Sequence, residues 1–173
     1  KRKDGRAVSV LWSTFFSDKE QSYFCVAHDI TERRLAEEAV KESERRIRSM
    51  IENMIVGLIV VSRQRKILVA NRSATEMFDY RWEELEGRDV VSLFAESASL
   101  ASEAEREEFF SQLTEKARHH VLGQEALKQS GEDFPVQMSM GDFTLGQEDC
   151  YLLNILDVSE LREIERKRRE FVA

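Results

Sequence analysis

Few residues in this chain have the type and spacing that chemistry needs. His119 and His120 are adjacent. Neighbours on a helix or strand point different ways, so the pair is poorly placed to hold one metal ion. At a helix end, an imidazolium that meets the helix dipole is the ordinary role. Cys25 and Cys150 lie far apart and form no CxxC pair, so they read as reduced thiols of an intracellular chain, each a small apolar residue on a strand. There is no Gly-rich phosphate loop, no HExxH and no GxSxG. No catalytic residue and no metal site are expected. Met77, Phe134, Met138 and Met140 could line a small-molecule pocket or simply form core; the sequence leaves both open.

Two carboxylates stand out by position. Asp29-Ile30-Thr31-Glu32 and Asp157-Val158-Ser159-Glu160 each end an apolar run and begin a polar, helix-forming one. A carboxylate there can accept from the first N–H groups of the helix and so tie sheet position to helix direction. Asp157, Ser159 and Glu160, with Asp29 and Thr31, are therefore the candidate residues that couple sheet to helix, and a plain helix cap is the competing reading. Each set closes a copy of one longer pattern, residues 3–32 and 129–160. In both, a turn with Gly5 or Gly131 leads to a strand, a polar turn and a second, apolar strand. One domain type used in tandem is expected, the first copy shortened at its front.

The elements that hold these residues follow from periodicity. Strands are predicted over residues 7–16 and 21–28, then 57–61, 67–70, 121–128, 134–145 and 150–157, the last five forming an antiparallel sheet. Phe134, Val136, Met138 and Met140 alternate with polar neighbours, so one face is buried. Residues 62–66 read as a polar turn, and Asn71 as a cap for a short helix over 72–78. A turn of helix closed by Gly87, a short apolar piece at 90–94 and a helix over 103–117 follow.

Residues 31–54 read as one helix with Thr31 as N-cap. Its apolar positions Ala36, Val40, Ile47, Met50 and Met54, with Ser43 in one slot, step by fours and threes, a seam for a parallel coiled-coil homodimer. A single amphipathic helix is the competing reading, since Ala36 and Ser43 weaken the first half. A second helix over 158–173 carries Leu161, Ile164 and Phe171 on a similar track, broken by Arg168.

Bulk properties narrow the function classes. The chain has 173 residues, 42% hydrophobic and 34% charged. That charge exceeds the usual ~25% and fits long solvated helices. A net charge of −7 argues against broad nucleic-acid binding. Apolar runs fall far short of the ~20 residues that span a bilayer, so no membrane contact is expected in this segment. Lys1 has no Met before it, and a piece of a longer protein is expected.

These motifs carry a likeness. The stretch ILVANRSATEMFDYRWEELEGRDVVSLF (residues 67–94), with SGEDFPVQMSM (130–140) and the two Asp-aliphatic-Ser/Thr closings, resembles the PAS domain family. The resemblance implies an α+β PAS fold: a five-stranded antiparallel sheet with short helices on one face, flanked by long N- and C-terminal linker helices. It divides the chain into residues 1–30, the closing hairpin of an upstream PAS domain; 31–54, a coiled-coil linker; 55–157, the PAS domain; and 158–173, an exit helix. ERKRREFVA (165–173) resembles the start of the dimerisation helix of sensor histidine kinases, which implies a two-component phosphorelay. The implied function is a PAS sensor and relay module that passes a signal through flanking helices to a kinase. A PAS module driving a cyclic-dinucleotide synthase, or a ligand-free relay domain, are the alternatives. Implied partners are a second copy, with Val40, Ile47, Met50, Met54, Leu161 and Ile164 at the interface, a downstream kinase core and a response regulator. The expected location is cytoplasmic, with the parent's anchoring open. No cofactor is expected: flavin photochemistry would need a Cys on the helices facing the sheet, and a haem ligand would sit within the long helix, before His119.

Overall fold

A computed structural model of the chain describes Gly5 and residues 7–172. The chain falls into two compact units that divide after Ser49. In the first, β1 (Val10–Ser17) and β2 (Ser22–Asp29) form an antiparallel hairpin, paired from Val10↔Asp29 to Ser17↔Ser22. Aromatic and β-branched residues favour the extended backbone here. Almost every residue of both strands is exposed. Helix α1 (Thr31–Glu52) begins in this unit and has no buried residue.

α1 stops at Glu52, so Met54 of the predicted seam lies beyond it. The reason is tertiary. The Ile51 carbonyl, which a continuing helix would give to Ile55, accepts from the Asn71 side chain and from Met54 N–H in a tightened last turn.

The second unit is built on a five-stranded antiparallel sheet in the order β4-β3-β7-β6-β5. The strands are β3 (Gly57–Ser62), β4 (Ile67–Ala70), β5 (Leu122–Leu127), β6 (Asp133–Leu145) and β7 (Glu148–Asp157). Between β4 and β5 run α2 (Arg72–Phe78), α3 (Trp82–Leu85), two 3₁₀ turns (Val90–Leu93, Ala95–Ser99) and α4 (Glu103–His119). Helix α5 (Ser159–Val172) follows β7.

The core lies between one sheet face and these helices. Ile59, Val61, Val136, Met138, Leu153 and Ile155 come from the sheet, and Ala74, Phe78, Leu85, Phe110, Leu113 and Ala117 from the helices. Phe78 meets Phe134 edge-on at 5.6 Å. Gly57 lets β3 lie against α2: a Cβ there would meet Ala74 Cα at 3.3 Å and Ile155 O at 3.4 Å. On α4 the buried stripe is Phe110, Leu113, Thr114 and Ala117, while Phe109 is half-buried against Phe94. A capping box closes the front of α4: Ser102 Oγ accepts from Glu105 N–H, and Glu105 accepts from Ser102 N–H.

Candidate functional site

The two strand-to-helix junctions share three bonds. At the second, Asp157 Oδ1 accepts from Ser159 N–H at 2.8 Å and from its hydroxyl at 2.5 Å. At the first, Asp29 Oδ1 accepts from Thr31 N–H at 3.0 Å and from its hydroxyl at 2.5 Å. Val158 N–H donates to Pro135 O at 3.0 Å, and Ile30 N–H to Ser9 O at 2.8 Å. The register agrees as well, with Val136 opposite Asp157 and Val10 opposite Asp29. In both cases one carboxylate joins the last rung of a hairpin to the first residue of a helix. Glu160 is exposed in the first turn of α5, where a negative charge suits the helix dipole.

The junctions differ in two respects. Thr31 Oγ1 also accepts from Ser9 N–H at 2.9 Å. Pro135 stands at the matching position and has no N–H to give. The second junction has another tie: Arg162 of α5 pairs with Glu125 of β5 at 2.7 Å. The sequence reading missed this pair, because nothing local links residues so far apart.

Asn71 anchors the opposite, incoming side of the second unit. Its side chain is buried and uses both of its polar ends. Oδ1 accepts from Leu58 N–H at 2.9 Å and from Ala74 N–H at 3.0 Å, capping α2. Nδ2 donates to Ile51 O at 3.1 Å and Val56 O at 3.0 Å. Around it, Arg72 N–H donates to Glu52 at 3.2 Å and the Ser73 hydroxyl donates to Met54 O. One side chain thus holds together the end of α1, the start of β3 and the start of α2. The sequence showed the cap and not the clamp.

Arg65 sits in the β3–β4 turn and is 5% exposed. Its guanidinium meets Asp89 at 3.2 Å and also pairs with Glu103 and Glu107 of α4. Burial pulls its pKa down, and the Glu103 hydrogen bond and the Asp89 charge outweigh that, so the group stands above its ordinary value. Backbone bonds complete the attachment, with Val90 N–H donating to Arg65 O at 2.9 Å. The polar turn of the sequence reading is therefore a buried ionic strut between turn and helix.

The other candidate residues are placed as follows. Phe134, Met138 and Met140 are buried in the core, and Met77 packs beside it. Val40, Ile47, Met50, Met54, Leu161 and Ile164 are exposed on the single chain. His119 is the last residue of α4 and lines an open hollow of about 340 Å³ with Arg63, Arg118 and Tyr151. Arg63 lies 4.1 Å over the Tyr151 ring, and both arginines pair with Asp142. His120 is exposed beyond the helix. Among the described residues no three His, Cys, Asp or Glu side chains converge as a metal site. No helix among them is long and apolar enough to cross a membrane.

Cys25 is exposed and Cys150 buried. Burial pushes the Cys150 thiol pKa up, and the charge of Glu148 adds to this. Since the thiolate is the reactive form, a thiol reagent should modify Cys25 in the native chain and Cys150 only in denaturant. Equal labelling rates for the two thiols would contradict the burial of β7.

Comparison with known proteins agrees with this architecture. A family model described as the PAS fold matches residues 45–158. Sporulation kinase E of Bacillus subtilis (strain 168) is 26% identical over 148 residues, 86% of this chain and 19% of that protein. The chain thus spans about a fifth of that relative's length. Among solved structures, the PAS domain of an HTR-like protein from Haloarcula marismortui superposes with a TM-score of 0.58 at 19% identity, over 73% of this chain and 98% of that one. A PAS domain from a two-component sensor histidine kinase superposes with a TM-score of 0.54 at 14% identity, over 68% and 98%.

Proposed function

The chain belongs to the PAS family, and on that premise we propose that it is a sensor and relay segment of a two-component histidine kinase. One observation carries this reading: the same Asp-capped junction between a hairpin and an outgoing helix occurs twice. A carboxylate that holds both the N–H and the hydroxyl of the helix's first residue makes helix direction follow the last sheet rung. A shift of β7 against β6 then redirects α5, a two-state element of the kind that switches outputs.

On this reading residues 1–30 close an upstream domain of the same type and 31–54 form the linker. Residues 55–157 are the sensing domain, and 158–173 lead to a kinase dimerisation helix. The exposed Val40, Ile47, Met50, Met54, Leu161 and Ile164 pair with a second copy, which supplies the symmetric frame a kinase needs. On this reading Met77, Phe134, Met138 and Met140 form the face that a small-molecule stimulus would meet. The kinase relative supports phosphoryl transfer as the output; on this reading a response regulator is the acceptor and the cytoplasm, where ATP is, the location.

The test is the parent protein incubated with labelled ATP. Acid-labile label on histidine, passed on to an aspartate of a response regulator, is the expected result. Turnover of GTP to a cyclic dinucleotide without protein labelling would contradict the kinase output.

A further inference from the structure

Helix α5 leaves the sheet with little to set its direction. Val158, just before it, is buried. Residues 160–171 are all exposed, so packing does not fix the helix axis. The Asp157 bonds hold the helix at Ser159, and a rod attached at one point can swing about it. Arg166–Glu170 and Lys167–Glu163 stay within the helix. Arg162 instead reaches out, to Glu125 of β5 at 2.7 Å. It lies four residues beyond Val158, so the two side chains share one face.

Both contacts end on one rung of the sheet. Val158 N–H donates to Pro135 O, and Glu125 is the residue opposite Pro135 across β5–β6. The guanidinium lies over β5 itself: a Cβ on Gly123 would meet Arg162 Nη2 at 3.9 Å. The helix is thus tied once to β6 and once, a turn further on, to β5. Two points along an axis fix its direction where one does not. β5 is also the strand joined to the helical layer. It follows α4 across His120 and Val121, and its Ala126 bridges to Phe94 between the 3₁₀ turns. A displacement of α4 or of those turns therefore reaches β5, and the ion pair passes it to α5.

The repeat supplies an independent sign. Five residues past the closing Asp, the first copy has Arg34 where the second has Arg162, although the residue before it differs, Arg33 against Leu161. The helix ladders open alike: Arg34 N–H donates to Ile30 O at 3.0 Å and Arg162 N–H to Val158 O at 2.9 Å. Each junction therefore sets a cation at the same place on its outgoing helix. The strength also suits a switch. The paired side chains are 52% and 45% exposed. Such a pair shifts an equilibrium by up to about fivefold, enough to bias a direction and little enough to let it reverse. We propose that Arg162 is a positioning residue: with Glu125 it forms an ionic latch that sets the resting direction of α5 and hands it the movement of β5. The proposal rests on the preceding reading in taking the direction of α5 as the output.

Residual dipolar couplings of the isotope-labelled 173-residue chain test the latch without reference to output. In the wild type, the amides of residues 160–168 should share the alignment of β5, β6 and β7. Glu125→Gln and Arg162→Gln should each leave the sheet couplings in place, which shows the fold intact, and shrink those of α5. Glu125→Arg should do the same, and adding Arg162→Glu should restore them, because the pair is rebuilt with its charges exchanged. Wild-type α5 couplings in Glu125→Gln overturn the inference and leave the Asp157 junction standing. A charge-exchanged double variant that stays released overturns it too. In the parent protein, Glu125→Gln should change the basal autophosphorylation rate by about two- to fivefold, and the exchanged pair should bring it back. Released couplings with an unchanged rate keep the latch and overturn the reading of α5 direction as the output.

Discussion

Asn71→Ala lowers the stability of the second unit by about 3 kcal/mol, the loss expected when several buried hydrogen bonds are broken at once. The substitution removes four bonds, at 2.9, 3.0, 3.1 and 3.0 Å. Two N–H groups and two carbonyls lose this partner at a buried position, and each such group costs roughly 1–3 kcal/mol when nothing replaces it. Relaxation and water entry at the exposed end of α1 reduce the sum. In thermal unfolding the midpoint should fall by roughly 8–15 °C. Asn71→Asp separates the two roles. It keeps the acceptor that caps α2 and loses the donors that hold Ile51 O and Val56 O. The last turn of α1 should then exchange its amide protons faster while α2 stays protected. A shift of only a degree or two in Asn71→Ala would mean that the clamp contributes little.

Arg65→Ala should cost about 3 kcal/mol, at the low end of what removing one partner from a buried ionic contact costs. The discount has a reason. Glu103 and Glu107 are 77% and 64% exposed and regain water, whereas Asp89 is 17% exposed and is left without its countercharge. Backbone geometry supplies a check on the cause. Arg65 has φ of +67°, in the left-handed region that glycine tolerates and alanine resists. Arg65→Gly should therefore be about 1 kcal/mol less harmful than Arg65→Ala, although both lose the guanidinium. Arg65→Lys keeps the charge, yet a compact ammonium lacks the planar fork that serves three carboxylates, so it rescues only in part. Urea unfolding of the three variants reads all of this. Equal loss in the Gly and Ala forms would contradict the strained turn, and wild-type stability in Lys would contradict the fork.

These two residues show where sequence reading reaches and where it stops. Strand β4 and helix α2 are predicted to the residue, because the apolar run ends at Ala70 and Asn71 is a strong local cap. The repeated Asp-aliphatic-Ser/Thr closing was legible for the same reason: its bonds join residues two apart. Arg65 was not legible as buried. Its partners are 24, 38 and 42 residues away, and only the fold brings them to one turn. The end of α1 failed likewise. The heptad pattern runs on to Met54, but Asn71, 20 residues beyond Ile51, takes the Ile51 carbonyl that would have continued the helix. Local periodicity thus located the elements and the junctions, while the incoming clamp and the ionic strut depend on contacts that no short window contains.

On the proposed reading the Asp157 junction makes α5 follow the sheet. The direct measurement is autophosphorylation of the parent protein carrying Asp157→Ala, beside circular dichroism and thermal unfolding of the same variant. Removing a cap of this kind costs only about 1 kcal/mol, so the domain should stay folded. The expected result is a folded protein whose phosphorylation rate no longer responds to stimulus and is locked high or low. A folded variant with wild-type rate and wild-type response would contradict it.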